Sequence, residues 1–268
     1  MSYKLIAVDL DDSLLGKDLK ISEANKRALF AARDRGVQVT IATGRMLNSA
    51  LPYIKELQID IPIITYQGAY IKDTRTGDTL AWKPVPRQYA HRILVECKKQ
   101  NLHIQFYNES SYFFEQDNEF SSLYHRMVGI QGAEVEDLFQ LLLQEEPIKL
   151  LIVDTPSRIE RLYEYFREIY GDVLQVLISR PNYLEFTNTE ATKGNALALL
   201  AQMLNISRDE IVAIGDSYND ISMIKYAGLG IAMGNAPDYV KSYARYVTKG
   251  NDENGIAYAI ERFVLEKE

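Results

Sequence analysis

No stretch limits the possible folds of this chain more than Leu5-Ile6-Ala7-Val8-Asp9-Leu10-Asp11-Asp12-Ser13-Leu14-Leu15. The apolar run Leu5 to Val8 is too short for a helix and reads as a strand buried on both faces. It ends in three carboxylates within four positions. If the extended form persisted past Val8, alternation would put Asp9 and Asp11 on one side of the strand tip. A like-charge pair at ~4 Å costs on the order of 4 kcal/mol at an effective dielectric of ~20. A hard divalent cation with oxygen ligands is the simplest offset. A solvated acidic turn is the alternative reading of this stretch taken alone.

The same grammar recurs along the chain. Ser22 caps a helix with alanines at 24, 28, 31 and 32, which Gly36 ends. A second apolar strand, Val37 to Ala42, runs into Thr43-Gly44-Arg45, and a helix follows from Met46 to Leu57. A third, Pro62 to Tyr66, runs into Gln67-Gly68-Ala69. Strand alternating with helix implies parallel, right-handed crossovers in an α/β, doubly wound, Rossmann-like sheet. After a hairpin over residues 70–82 the pattern changes. Residues 83–187 mix amphipathic helices with paired strands and read as an inserted α/β cap domain. Hinges are expected near Pro84-Val85-Pro86 and Asn188-Thr189-Glu190. The first pattern resumes at Thr192-Lys193-Gly194 and at the strand Ile211 to Ile214, which ends in Gly215-Asp216-Ser217-Tyr218-Asn219-Asp220. The expected domains are therefore a core, 1–82 with 188–268, and the insert.

At 268 residues the chain is long enough for such a two-part arrangement. A net charge of -7 argues against nucleic acid or an anionic membrane as partner. The single cysteine, Cys97, cannot form an internal disulfide and lies at helical spacing from Ile93 and Leu94, so a packed thiol in a reducing cytoplasm is expected. No apolar segment reaches membrane-spanning length, and the N-terminal apolar run stops at Asp9. His91, His103 and His125 have no compact ligand spacing and read as surface or packed histidines. Tyr107, Tyr112, Phe113 and Phe114 read as strand alternation over a small core.

Ligands of open parallel sheets collect at the carboxyl ends of the strands, and each polar group singled out lies there or at a helix start. Thr43-Gly44 offers a hydroxyl and an amide suited to phosphate oxygens, although alone it reads as a turn. Lys193 in a first helical turn is disfavoured by the helix dipole unless an anion faces it, and a solvated lysine is the alternative. Asp216 and Asp220 straddle a strand-to-helix turn, where capping is the competing role. Together Asp9, Asp11, Asp12, Asp216 and Asp220 would crowd one rim around Lys193, and a phosphate could enter only with a metal. Mg²⁺ fits, since it takes one or two carboxylates with water and substrate phosphate.

These four segments, in this order and with the insert between the second and third, resemble the motifs of the haloacid dehalogenase superfamily, in its Cof-type branch with a type IIB cap. Two positions depart from that pattern: Ser13 stands where threonine is usual, and Gln67 where the branch usually has asparagine. The resemblance implies that Asp9 is a nucleophile forming an aspartyl-phosphate and that Asp11 is the general acid and base. It implies Mg²⁺ held by the Asp9 carboxylate, the Asp11 carbonyl and Asp216, with Ser217 and Asp220 nearby. Thr43, the amides of Leu10 and Gly44, Lys193 and Asn219 would hold the phosphoryl oxygens. The expected activity is a Mg²⁺-dependent phosphatase of small phosphorylated metabolites, with sugar phosphates foremost. A phosphomutase sharing the intermediate, or a phospho-accepting signalling domain, are the alternatives. A monomer or weak homo-oligomer is expected.

Overall fold

The structure, a computed structural model, describes residues 3–109 and 111–266; the outermost positions of the expected core, 1–2 and 267–268, lie outside the described residues. The chain divides into two compact units, Met1–Ala81 with Ala191–Glu268, and Trp82–Glu190.

The first unit begins with β1 (Leu5–Val8), α1 (Glu23–Asp34), β2 (Gln38–Ile41), α2 (Leu47–Glu56), β3 (Ile63–Thr65) and β4 (Tyr70–Lys72), followed by β5 (Thr79–Trp82). All four residues of β1 are fully buried, as a central parallel strand requires. The Ser22 side chain accepts from the Asn25 amide and starts α1, whose Ala28, Leu29 and Ala32 pack inward.

The second unit carries α3 (Arg87–Lys99), β6 (His103–Tyr107), β7 (Tyr112–Phe114), α4 (Glu119–Val128), β8 (Ala133–Glu134), α5 (Leu138–Gln144), β9 (Lys149–Val153), α6 (Pro156–Tyr170), β10 (Leu174–Arg180) and β11 (Tyr183–Asn188). Its sheet runs β10-β11-β9-β6-β7-β8 and is antiparallel except between β7 and β8. Ile104, Phe106, Leu150, Ile152, Leu184 and Phe186 form one apolar core with α3, α5 and α6. The alternate residues Gln105, Tyr107, Lys149, Glu185 and Thr187 are buried and polar. Cys97 is buried in that core, which pushes its thiol up and leaves it inert. His103 is pushed down to about 4, mainly by burial, and packs against Phe114 and Phe120. Tyr107 and Tyr112 stack at 5.4 Å, with the Tyr124 ring edge-on to both.

Back in the first unit come α7 (Lys193–Met203), β12 (Ile211–Gly215), α8 (Ile221–Tyr226), β13 (Leu229–Ala232), α9 (Asp238–Lys241), β14 (Tyr246–Val247) and α10 (Gly255–Ile260). The main sheet is wholly parallel in the order β14-β13-β12-β1-β2. From β1 the chain moves outward to β2 and later returns to the other side at β12. The order therefore reverses between β1 and β12, and a crevice opens at their carboxyl ends.

One expected parallel strand behaves differently. Among the described residues β3 pairs with the main sheet through a single parallel bridge between Ala42 and Ile64, and its residues otherwise pair antiparallel with β4. Pro62 supplies no N–H, and Tyr66 turns the chain at φ 51° just beyond, so three residues are left for pairing.

Candidate active site

Strand pairing ends at Val8, and Leu10–Leu14 form a wide turn in which Asp11 is extended (φ -72°, ψ 131°) and Asp12 left-handed (φ 55°). It is closed by the Leu14 amide donating to the Asp9 carbonyl at 3.2 Å and the Leu15 amide to the Leu10 carbonyl at 2.8 Å. Asp9 and Asp11 therefore do not share a strand face, and their side chains meet different partners. Asp11 is held by Arg45 through both oxygens, Nε to Oδ2 at 2.8 Å and Nη2 to Oδ1 at 2.5 Å. Arg45 in turn lies 5.1 Å over the Tyr53 ring.

Asp9 follows β1 and its amide donates to the Ile214 carbonyl of β12 at 3.0 Å, so the two strand ends are locked side by side. Asp9, Asp216 and Asp220 converge with carboxylate oxygens within 4.8 Å of one another. Lys193 lies among them with no exposed surface, its Nζ 2.6 Å from Asp9 Oδ1 and 2.5 Å from Asp220 Oδ1. Asp220 Oδ2 accepts from the amides of Asp216 at 3.0 Å and Ser217 at 2.9 Å. Both Asp220 oxygens are thus engaged in holding the turn and the lysine. Gly215 is required here, because a Cβ would lie 2.5 Å from Asp220 Cγ. Ser13 donates to Asp216 Oδ1 at 2.8 Å. Ser217 is exposed beside this group.

Three buried carboxylates face one ammonium, and the charge state follows. Burial, then Asp220 and Asp216, pushes Asp9 well above the usual carboxylate range, despite the opposing pull of Lys193. Asp216 is pushed up to about 7, first by burial and then by Asp220, with Ser13 and Lys193 pulling the other way. Burial alone would lower Lys193, but Asp220 and Asp9 outweigh it and hold the ammonium above its ordinary range. The group is short of positive charge, and its donors are all oxygens, the set that a hard cation of the Mg²⁺ type prefers. Asp9 and Asp216 are the carboxylates with oxygens left over to bind one.

The other predicted residues gather around this centre unevenly. Thr43 is buried at the end of β2, and its hydroxyl accepts from the Arg45 amide at 3.1 Å, the turn-forming role weighed as the alternative. Gly44 precedes α2 by three residues instead of starting it, since the helix begins at Leu47. Thr192 caps α7 by accepting from Asn195, which fixes Lys193 in the first turn. Asn219 donates from Nδ2 to Gln67 Oε1 at 2.5 Å.

Residues missed in the sequence complete the frame. Asn235, after β13, donates to the Asp12 carbonyl at 2.8 Å, and Asn251 donates to the Leu15 carbonyl at 3.0 Å. Asn235 follows a strand end as the other motifs do, and that position was its only local signal.

Comparison with known proteins agrees with this geometry. A family model described as haloacid dehalogenase-like hydrolase matches residues 6–260. Phosphatase YwpJ of Bacillus subtilis is 31% identical over 97% of this chain and all of that protein. The 5-amino-6-(5-phospho-D-ribitylamino)uracil phosphatase YcsE of the same organism is 33% identical, covering 99% of this chain and 97% of the other. Among solved structures, TM0651 from Thermotoga maritima superposes with a TM-score of 0.90 at 35% identity over 97% of each chain. The subclass IIB sugar phosphatase BT4131 gives 0.80 at 25% identity over 97% of this chain and 98% of that one. A parallel sheet with its acidic cluster at the β1/β12 crevice and a family match spanning nearly the whole chain lead to one conclusion: the chain belongs to the haloacid dehalogenase-like hydrolases, among their Cof-type phosphatases.

Proposed function

We propose that this phosphatase hydrolyses small phosphorylated metabolites, sugar phosphates foremost, through a phosphoryl group carried on Asp9, with Mg²⁺ as its cofactor. The observation that carries the reading is the convergence of Asp9, Asp216 and Asp220 on a fully buried Lys193. Lys193 holds Asp9 through Oδ1, which orients the carboxylate so that one oxygen can attack phosphorus while the other faces the cation. The P–O bond to the leaving group breaks as the Asp9–phosphorus bond forms, and Asp11, protonated once it has left the Arg45 pair of the resting structure, delivers that proton to the departing oxygen. In the second half Asp11 takes a proton from water, which attacks phosphorus and frees Asp9 as carboxylate. Thr43, the Gly44 and Leu10 amides, Lys193 and Asn219 hold the phosphoryl oxygens, since this chemistry depends mainly on positioning and charge. The Asp9 and Asp216 carboxylates and the Asp11 carbonyl, with Ser217 and Asp220 beside them, would hold Mg²⁺, which when bound would supply positive charge opposite the transferring group. Residues 83–187 carry the choice of leaving group.

The test is phosphate release from an aryl phosphate and from a hexose phosphate by wild type and Asp9→Asn. Turnover should fall ~10³-fold or more in the variant while its circular dichroism is unchanged. A variant as active as wild type, or hexose phosphate isomer appearing without free phosphate, would overturn the proposal.

A further inference from the structure

The turn Tyr66-Gln67-Gly68 links the antiparallel pair β3 and β4 through a strained, left-handed backbone. Tyr66 and Gln67 both hold positive φ, 51° and 61°, and Gly68 follows at 100°. Two consecutive non-glycine residues in the left-handed region persist only where their surroundings over-determine them, which is common at functional sites. Those surroundings are three of the site-forming segments. The Tyr66 amide donates to the Arg45 carbonyl at 3.0 Å and the Gln67 amide to the Thr43 carbonyl at 3.1 Å. Gly68 packs on the Thr192 carbonyl so closely that no Cβ would fit. The Gln67 side chain lies over Gly44, where it fills the space a Cβ would need, and its Oε1 accepts from Asn219 Nδ2 at 2.5 Å. The Oδ1 of Asn219 is buried with no hydrogen-bond partner, so the bond to Gln67 is what fixes this amide.

We infer that Gln67 is a positioning residue: it acts through Asn219, holding that amide in register with Gly44 across the phosphate cradle. The inference rests on the proposed phosphatase reading, in which Asn219 contacts the phosphoryl group. The length of the glutamine is what lets the turn reach Asn219, and its Oε1 is the acceptor that sets the amide's orientation.

The experiment is a double-mutant cycle on kcat/KM for an aryl phosphate, with inhibition by inorganic phosphate as a second readout. Gln67→Gly removes the side chain at a backbone conformation where glycine is at home, so Tm should hold or rise. Its kcat/KM should nevertheless fall about ten- to a hundredfold, and phosphate should inhibit correspondingly less well. Gln67→Met, which fills the same space without an acceptor, should lose as much, and Gln67→Asn, one methylene short, should not restore activity. In an Asn219→Ala background, Gln67→Gly should change kcat/KM by less than about twofold. A merely structural role predicts a lowered Tm with activity lost in proportion, or losses that multiply in the double variant; either overturns the inference. So do Gln67 variants as active as wild type beside an impaired Asn219→Ala. A wild-type protein that releases no phosphate, or an Asn219→Ala protein with full activity, would instead overturn the parent reading.

Discussion

Each unit of the molecule buries a lysine against carboxylate, and the two sites differ in charge balance. In the antiparallel unit Lys149 faces one partner, Glu185, with Nζ 3.3 Å from Oε1 and the Tyr107 ring 4.5 Å away. Ser179 donates to the same Glu185 oxygen at 2.7 Å. Burial, the largest influence, would lower Lys149, but Glu185 together with Tyr124 and Tyr183 outweighs it and the ammonium is raised. One cation meets one anion, and the pair is complete. In the parallel unit Lys193 meets Asp9 and Asp220 directly, with Asp216 as a third carboxylate in the cluster. A buried pair that balances is a structural element, whereas an unbalanced cluster is a site waiting for a charged ligand.

The strongest way to break the contrast is to remove the cation from the unbalanced cluster and the whole ion pair from the balanced site. Lys193→Met strands two fully or nearly buried carboxylates and should cost about 3–5 kcal/mol of unfolding free energy in urea without divalent metal. The paired change Lys149→Met with Glu185→Leu should stay near wild type, because a complete pair exchanged for apolar groups of similar volume is close to neutral. Equal losses in the two proteins would mean that charge balance is not what separates the sites.

A smaller effect comes from the ligand itself. Mg²⁺ at a hundred times its Kd should stabilise the protein by about 2.7 kcal/mol, seen as a raised Tm that EDTA reverses. This gain depends on pH, and its sign is fixed by Asp216. Its folded-state value of about 7 lies above the ordinary 3.8, so the metal-free fold favours the protonated form. That contribution is full below pH ~4 and lost as pH rises through ~7. Binding a cation needs the carboxylate, so the Mg²⁺-induced rise in Tm should be small at pH 5.5 and larger at pH 8. A shift of equal size at both pH values would count against Asp216 as a ligand.

The smallest change sharpens the same point. Ser13→Ala removes the hydroxyl that donates to Asp216 and should weaken Mg²⁺ binding by about fivefold, near 1 kcal/mol, as read by calorimetric titration. An unaltered affinity would mean that the hydroxyl does not orient this carboxylate.

Much of the frame was legible in the residues alone. Leu5 to Val8 and Ile211 to Ile214 are short apolar runs that stop abruptly at polar turns, and both became central parallel strands ending at Asp9 and Asp216. Two helices of the second unit were missed. α4 carries helical apolar spacing at Phe120, Leu123, Tyr124 and Met127, opened by the Asn118 cap, although only Ser121 and Tyr124 are buried among its described side chains. In α5 the run Leu138-Phe139-Gln140-Leu141-Leu142-Leu143 suits a strand equally well, and the Asp137 side chain accepting from the Phe139 amide decides for helix.

The groups that collect at the crevice could be read from the chain because a short apolar run that enters the parallel sheet leaves the polar turn after it at the carboxyl end of the strands, as at β1 and β12. Their partners could not. Arg45 on Asp11, Ser13 on Asp216 and Gln67 on Asn219 join residues 34, 203 and 152 positions apart. Which donor reaches a given carboxylate or amide is settled only when the strand order brings distant turns together, and hydrogen bonds act over a few ångströms, a scale on which sequence distance carries no information.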